Sequence, residues 1–437
     1  MKMINKILIL LLSVLLVLPK HSLVSAQELN IENLPAQSMM LVNGDNGQVL
    51  FNKNSEDLLE IGSLSKLLLL YIVFEQIETE KINLEDIVPI SNSAYELSQD
   101  YDIPNVPLRQ DFSYTVEELI TAIAVKNSNG AALALVEKIA SNEADFIKLM
   151  EQKLSEWQLS NYQFVDSLGL PNDYETGVGE YQGQTNKMSA EAITTVAFRL
   201  YKDYPQYLEY ASTKELNFKA DTDDAFQTTS NNPLLKDTKL SVNGMFIGYA
   251  PQNGYNQVIS SSDQETTYLA VVIGVSENQE DPYYPVEQLI QYAKSSFDTK
   301  IIVKKESLTD EIPVINVDGG TRDVIHSVYT DDFVLSVPKG DNQLNIDYQF
   351  IPNEEKTGYQ NYITAPIDKG DFLGTLKMDF QHYAIEYLPT AQNSEVQVVA
   401  NESIPEKSIF GKFLQSVMRF IITIIEAIRK FFTNIFN

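Results

Sequence analysis

The apolar pattern is densest at the two ends of the chain. After Lys2 and Lys6, every residue from Ile7 to Leu18 is apolar except Ser13, and Pro19 and Lys20 close the run. Val24-Ser25-Ala26 supplies the small residues of a cleavage site, so residues 1–26 read as an export signal, with an uncleaved anchor as the alternative. At the other end, Lys412, Gln415, Ser416, Arg419, Thr423, Glu426, Lys430, Thr433 and Asn434 recur in steps that draw one polar stripe along a helix. The positions between them are mostly Phe, Ile, Leu, Val and Met. Repeated charge argues against spanning a bilayer, so residues 408–437 are predicted to be an amphipathic helix lying in the membrane surface. The competing prediction is a helix packed on the protein's own body.

Between the ends the pattern changes once. Met39–Asn43 and Gln48–Asn52 flank Gly44-Asp45-Asn46-Gly47, a hairpin signal. A very apolar helix is predicted from Ser63 to Ile77, and helical spacing returns over Val116–Ala124 and Ala131–Ile139. Tyr255–Ser260 and Thr267–Val275 read as antiparallel strands, and Val286–Ser296 as a closing helix. From residue 300 on, short β runs take over: Ile301–Val303, Val314–Val317, Phe333–Val337, Leu344–Phe350, Gly374–Phe380 and Val396–Val399. They suggest a small β-sandwich. The expected division is therefore a signal (1–26), an α/β domain (27–298), an all-β sandwich (299–400), a linker (401–407) and the amphipathic helix (408–437).

At 437 residues the chain is long enough for two or three domains, each with its own core. The absence of cysteine excludes disulfides, zinc ribbons, iron–sulfur ligation and thiol catalysis. With His21 in the signal, only His326 and His382 remain, so a histidine-based triad in the first 300 residues and a three-histidine zinc site are both excluded. Charge is unevenly distributed. Residues 27–406 carry 59 acidic and 24 basic side chains, whereas the tail from Lys407 carries five basic and one acidic. Such a body is repelled by nucleic acid, and the tail is drawn to anionic lipid.

The chemistry must then come from Ser, Lys, Asn or carboxylates. Ser63-Leu64-Ser65-Lys66 opens the apolar helix, and positions three apart share a helix face, so Lys66 lies beside the Ser63 hydroxyl. Desolvation by Leu64, Leu67 and Leu70 would lower the lysine's pKa towards that of a base. The Ser63 amide, at the helix N-terminus, is placed to stabilise an oxyanion. The pattern alone is weak, since composition predicts roughly two such tetrads by chance. A second one, Ser336-Val337-Pro338-Lys339, carries a proline that disfavours a helix. A helix cap is the plainer reading of Ser63.

The order of hairpin, Ser-x-x-Lys and buried helix resembles the penicillin-recognising serine hydrolases, and among them the low-molecular-weight D-alanyl-D-alanine carboxypeptidases. The resemblance rests on Ile61-Gly62-Ser63-Leu64-Ser65-Lys66, Phe164–Leu170, Asn186-Lys187-Met188-Ser189-Ala190, Gly254-Tyr255-Asn256, Ala365–Gly370 and Gly374. It implies an α/β (α+β) penicillin-binding, β-lactamase-like catalytic domain, followed by the β-sandwich and the anchoring helix. It implies Ser63 as the acylated nucleophile, Lys66 as its base, peptidoglycan stem peptides and β-lactams as ligands, and no cofactor or metal. The location it implies is the extracytoplasmic membrane face of a Gram-positive bacterium.

Two of the family's three motifs depart from their usual form. Where Ser-x-Asn is expected stand Asn127-Ser128-Asn129: Asn129 matches, Asn127 replaces the proton-relaying serine, and Ser128 is one residue out of register. Where Lys-Thr-Gly is expected stand Phe246-Ile247-Gly248. Gly248 is kept, and the cation and hydroxyl that would meet a substrate carboxylate are gone. A literal Lys356-Thr357-Gly358 lies among the late β runs and reads as a turn. Two functions stay open: a carboxypeptidase of reduced or altered activity, or a silent paralogue that binds peptidoglycan or a wall-synthesis partner.

Overall fold

The computed structural model describes residues 30–170, 184–263, 266–312, 314–340, 344–381, 384–391 and 394–436. The signal assigned to residues 1–26 and His382 lie outside them. Up to Leu34 the described residues hold one 3-10 turn, Ile31–Asn33; the architecture below belongs to the residues from Pro35 on.

One antiparallel five-stranded sheet carries the first core. Its strand order is Val242–Ala250, Gly254–Asp263, Thr266–Val275, Ser38–Asn43, Val49–Lys53. The predicted hairpin forms, with Gly44–Gly47 as its turn, but its second strand begins one residue late because Gln48 instead pairs with Tyr387. Strands Ser38–Asn43 and Thr266–Val275 are buried along their full length, as a sheet covered on both faces requires.

The predicted apolar helix is observed as Ser65–Glu78, preceded by a 3-10 turn, Gly62–Leu64. Every residue from Ser65 to Phe74 is buried. A helix apolar on all sides belongs at the centre of a core, and helices Ala190–Asp203, Asn129–Ile139 and Glu143–Glu156 surround it. Val116–Lys126 and Asn129–Ile139 extend the two helices expected from spacing, and Tyr284–Ser296 is the closing helix. The helices Glu143–Glu156 and Ala190–Asp203, capped by Asn142 and Ser189, were not expected.

The β runs after residue 300 form small sheets around a second core that includes Val317, Leu335, Leu373, Leu376 and Val398. Strand Phe297–Val303 pairs with Phe333–Pro338, so this region starts before residue 299. The segment read as a linker is not free: Ile404 is fully buried, pairs with Ile367, and Glu406 pairs with Gly320. Apolar side chains on a polar-looking stretch reward docking more than extension. The tetrad Ser336–Lys339 lies at the end of a strand, as its proline dictates. The two regions are joined by polar contacts of the hairpin turn. Asn43 donates to Ser336 Oγ at 2.9 Å, and Gln48 both donates to the Ser336 carbonyl (2.9 Å) and accepts from its amide (2.8 Å).

Helix Ile409–Phe436 leaves Ile409, Phe410, Phe413, Met418 and Phe420 exposed, while Gln415 reaches Asp318 at 3.2 Å. No described helix is long and apolar enough to cross a membrane.

Candidate active site

Ser63 sits in the 3-10 turn that feeds the buried helix, and its side chain caps nothing. That removes the plain helix-cap reading. The turn is built by glycines. A Cβ on Gly62, which has φ +50°, would fall 2.2 Å from the Tyr249 carbonyl oxygen. A Cβ on Gly169, at φ +71°, would fall 1.8 Å from the Gly62 carbonyl oxygen. Only glycine permits both the left-handed backbone and this approach. Gly248 closes the other side: a Cβ there would lie 3.4 Å from the Ser63 amide nitrogen.

Lys66 is fully buried, and its Nζ donates to the Leu168 carbonyl at 2.9 Å and to Ser63 Oγ at 3.4 Å. Burial disfavours the ammonium and pushes the lysine down to about 7, against an opposing pull from Asp166. At that value a large share of the amine is neutral near pH 7, free to take the Ser63 proton.

Asp166 is also buried, and burial pushes its carboxyl up to about 6, with the amides of Leu168, Gly169 and Leu170 opposing. Neighbouring Glu143 adds a further upward push. Asn186 accepts from the amides of Val165 and Asp166 and donates to Ser65 Oγ at 3.0 Å. Asp166 and Asn186 lie in stretches that carry the family resemblance, but the sequence assigns them no role, and Glu143 lies outside those stretches. The acceptor that meets Lys66 is a backbone carbonyl, which leaves no mark in the side-chain sequence.

The degenerate motifs take definite places. Asn127 ends helix Val116–Lys126 at φ 58°, a left-handed conformation that asparagine tolerates better than serine. Its Nδ2 donates to the Ile247 carbonyl at 3.3 Å, which brings the second and third motif positions together. Ser128 is used up as the cap of the next helix, accepting from Val106 and Ala131 amides. Asn129 donates to the Pro104 carbonyl at 3.0 Å, and its Oδ1 is buried without a partner. Among the described residues neither asparagine bonds to Ser63 or Lys66. Phe246 is buried in the first core, on the same strand face as Gly248, while Ile247 is half-buried. Lys356, of the literal Lys-Thr-Gly, pairs with Asp371 at 2.5 Å in the β region.

The chain is similar along most of its length to known D-alanyl-D-alanine carboxypeptidases. It is 26% identical over 362 residues to the D-alanyl-D-alanine carboxypeptidase DacF of Bacillus subtilis, covering 83% of this chain and 86% of that one. It is 24% identical over 403 residues to DacA of Escherichia coli, covering 90% and 91%. Among solved structures, a peptidoglycan synthesis regulatory factor (PBP3) from Streptococcus pneumoniae superposes with TM-score 0.72 at 27% identity, covering 85% of this chain and 99% of that one. Penicillin binding protein 5 from Haemophilus influenzae, at 22% identity and TM-score 0.66 over 85% and 98%, shares the fold. The family model described as D-alanyl-D-alanine carboxypeptidase matches residues 24–277, more than half the chain, and the protein belongs to that family of serine peptidases.

Proposed function

We propose that this chain is a serine-type D-alanyl-D-alanine carboxypeptidase of reduced or altered activity, acylated on Ser63 by peptidoglycan stem peptides and by β-lactams. The observation that carries the reading is the buried Lys66 Nζ, 3.4 Å from Ser63 Oγ and held by the Leu168 carbonyl. Gly248 lies against the Ser63 amide, the donor suited to a developing oxyanion. Reduced activity follows from Asn127 and Phe246, which place no relay hydroxyl and no cation where the family motifs have them; each such loss commonly costs about 10² to 10⁴ in rate. Asn129 and Ile247 complete the proposed site.

The same substitutions support a second reading, a silent paralogue that binds peptidoglycan or a wall-synthesis partner through the retained fold. A fluorescent penicillin separates the two. Covalent label that disappears in Ser63→Ala supports the enzyme; no Ser63-dependent label at millimolar drug leaves the binding protein. We place the chain on the extracytoplasmic face of the membrane after export by residues 1–26, with helix Ile409–Phe436 as its surface anchor, in a Gram-positive cell. The exposed apolar side chains of that helix support this placement.

A further inference from the structure

Two loops meet behind the nucleophile. Residues 166–170 wedge against the Ser63 turn, with Gly169 so close to Gly62 that no side chain fits between them. The loop is held in shape by one carboxylate: Asp166 Oδ1 accepts from the amides of Leu168 (2.6 Å), Gly169 and Leu170 (3.4 Å). Those bonds aim the Leu168 carbonyl at Lys66 Nζ. Asn186 ties the arrangement together, donating to the Asp166 carbonyl at 2.9 Å and to Ser65 Oγ at 3.0 Å, while Ser65 Oγ donates to the Gly62 carbonyl at 2.9 Å. Glu143, at the start of helix Glu143–Glu156, accepts from the Ser167 amide and hydroxyl at 2.9 and 2.7 Å.

A carboxylate with this many donors is held in one place, at a buried site where its field is little screened. We propose that Asp166 is a positioning residue for the reaction: its fixed charge and its grip on the Leu168 carbonyl together set the orientation and the protonation of Lys66. The inference deepens the carboxypeptidase reading and concerns the base of that same site. Among the described residues Asp166 is the charged group that acts on Lys66, favouring the ammonium against burial. Glu143 stands behind Asp166 and acts on it directly. Glu60, buried next to the nucleophile turn, is engaged through one oxygen by Thr185.

The consequence has a sign. Removing the Asp166 charge while keeping an oxygen for the amides leaves Lys66 with burial alone, so its ammonium is lost at lower pH. Asp166→Asn does this. The full chain in detergent, labelled with ¹³C at lysine Cε, reports the Lys66 titration directly by NMR, with Lys66→Met identifying the resonance. The expected result is a midpoint at least about half a pH unit lower in Asp166→Asn, and the acid limb of penicillin acylation moving by the same amount. A side chain that only braces the loop would lower the acylation rate at every pH and leave both midpoints in place; an unchanged midpoint overturns the proposal. If penicillin never labels Ser63, the hydrolase reading fails, and the lysine titration still decides the role of Asp166. Asp166→Ser, whose hydroxyl can accept from the Leu168 amide, is the second charge-free variant. Failure of both variants to fold would assign Asp166 to the fold alone and overturn its proposed electrostatic role.

Discussion

Burying Lys66, the proposed base, should leave a measurable trace in stability, and Lys66→Met exposes it. Methionine nearly matches the lysine stem in length and carries no charge. In the unfolded chain Lys66 has the ordinary lysine value near 10.5, and in the folded protein about 7. Between those two pH values the unfolded state holds a proton that the folded state has shed, so wild-type stability rises with pH across the window, by about 1.4 kcal/mol per unit. Below the folded value the burial cost is fully expressed, at roughly 3–5 kcal/mol; it vanishes only above the unfolded value. Lys66→Met removes this dependence. It also orphans the Leu168 carbonyl, a pH-independent loss of about 1–3 kcal/mol. The variant should therefore gain on the wild type at pH 7 and lose about 2 kcal/mol of that advantage by pH 9. Urea unfolding followed by the single tryptophan, Trp157, at half-unit steps from pH 7 to 9 reads the difference; starting at 7 keeps Asp166, near 6, out of the comparison. A difference constant to within about half a kcal/mol would mean that Lys66 does not titrate in this window, and the argument for a neutral base would fall.

Other expectations are as specific. Gly169→Ala places a methyl 1.8 Å from the Gly62 carbonyl at a left-handed φ, and should cost about 2–5 kcal/mol in urea unfolding together with most penicillin labelling; a loss under 1 kcal/mol would show that the loop can retreat. Deleting residues 408–437 should leave a folded protein that no longer sediments with anionic vesicles, whereas high salt should only weaken binding by the full chain. Restoring the family residues with Asn127→Ser, Phe246→Lys and Ile247→Thr should raise D-alanine release from a stem-peptide mimic at least about 10-fold, with some loss of stability because Phe246 is buried. An unchanged rate in the folded variant would mean that the cleft has diverged beyond these positions.

Much of the fold was legible because its signals are local. The run Leu67–Phe74 is apolar on every side, so it had to be a central helix, and the stripe from Lys412 to Asn434 wrote an amphipathic helix into the residue order. Ser63 and Lys66 were legible as a pair because three residues make nearly one helical turn. Even the departures at Asn127, Phe246 and Ile247 could be read before any coordinates. Tertiary structure decided the rest, through contacts that join distant segments. The Leu168 carbonyl reaches Lys66 across 102 residues, and Asn186 reaches Ser65 across 121. Ile404 is drawn out of an apparent linker into the β core by partners that periodicity cannot name. A sequence shows which groups are available; desolvation depends on what surrounds a group in space. Burial by the whole core is what disfavours the Lys66 ammonium, the condition that the proposed base requires.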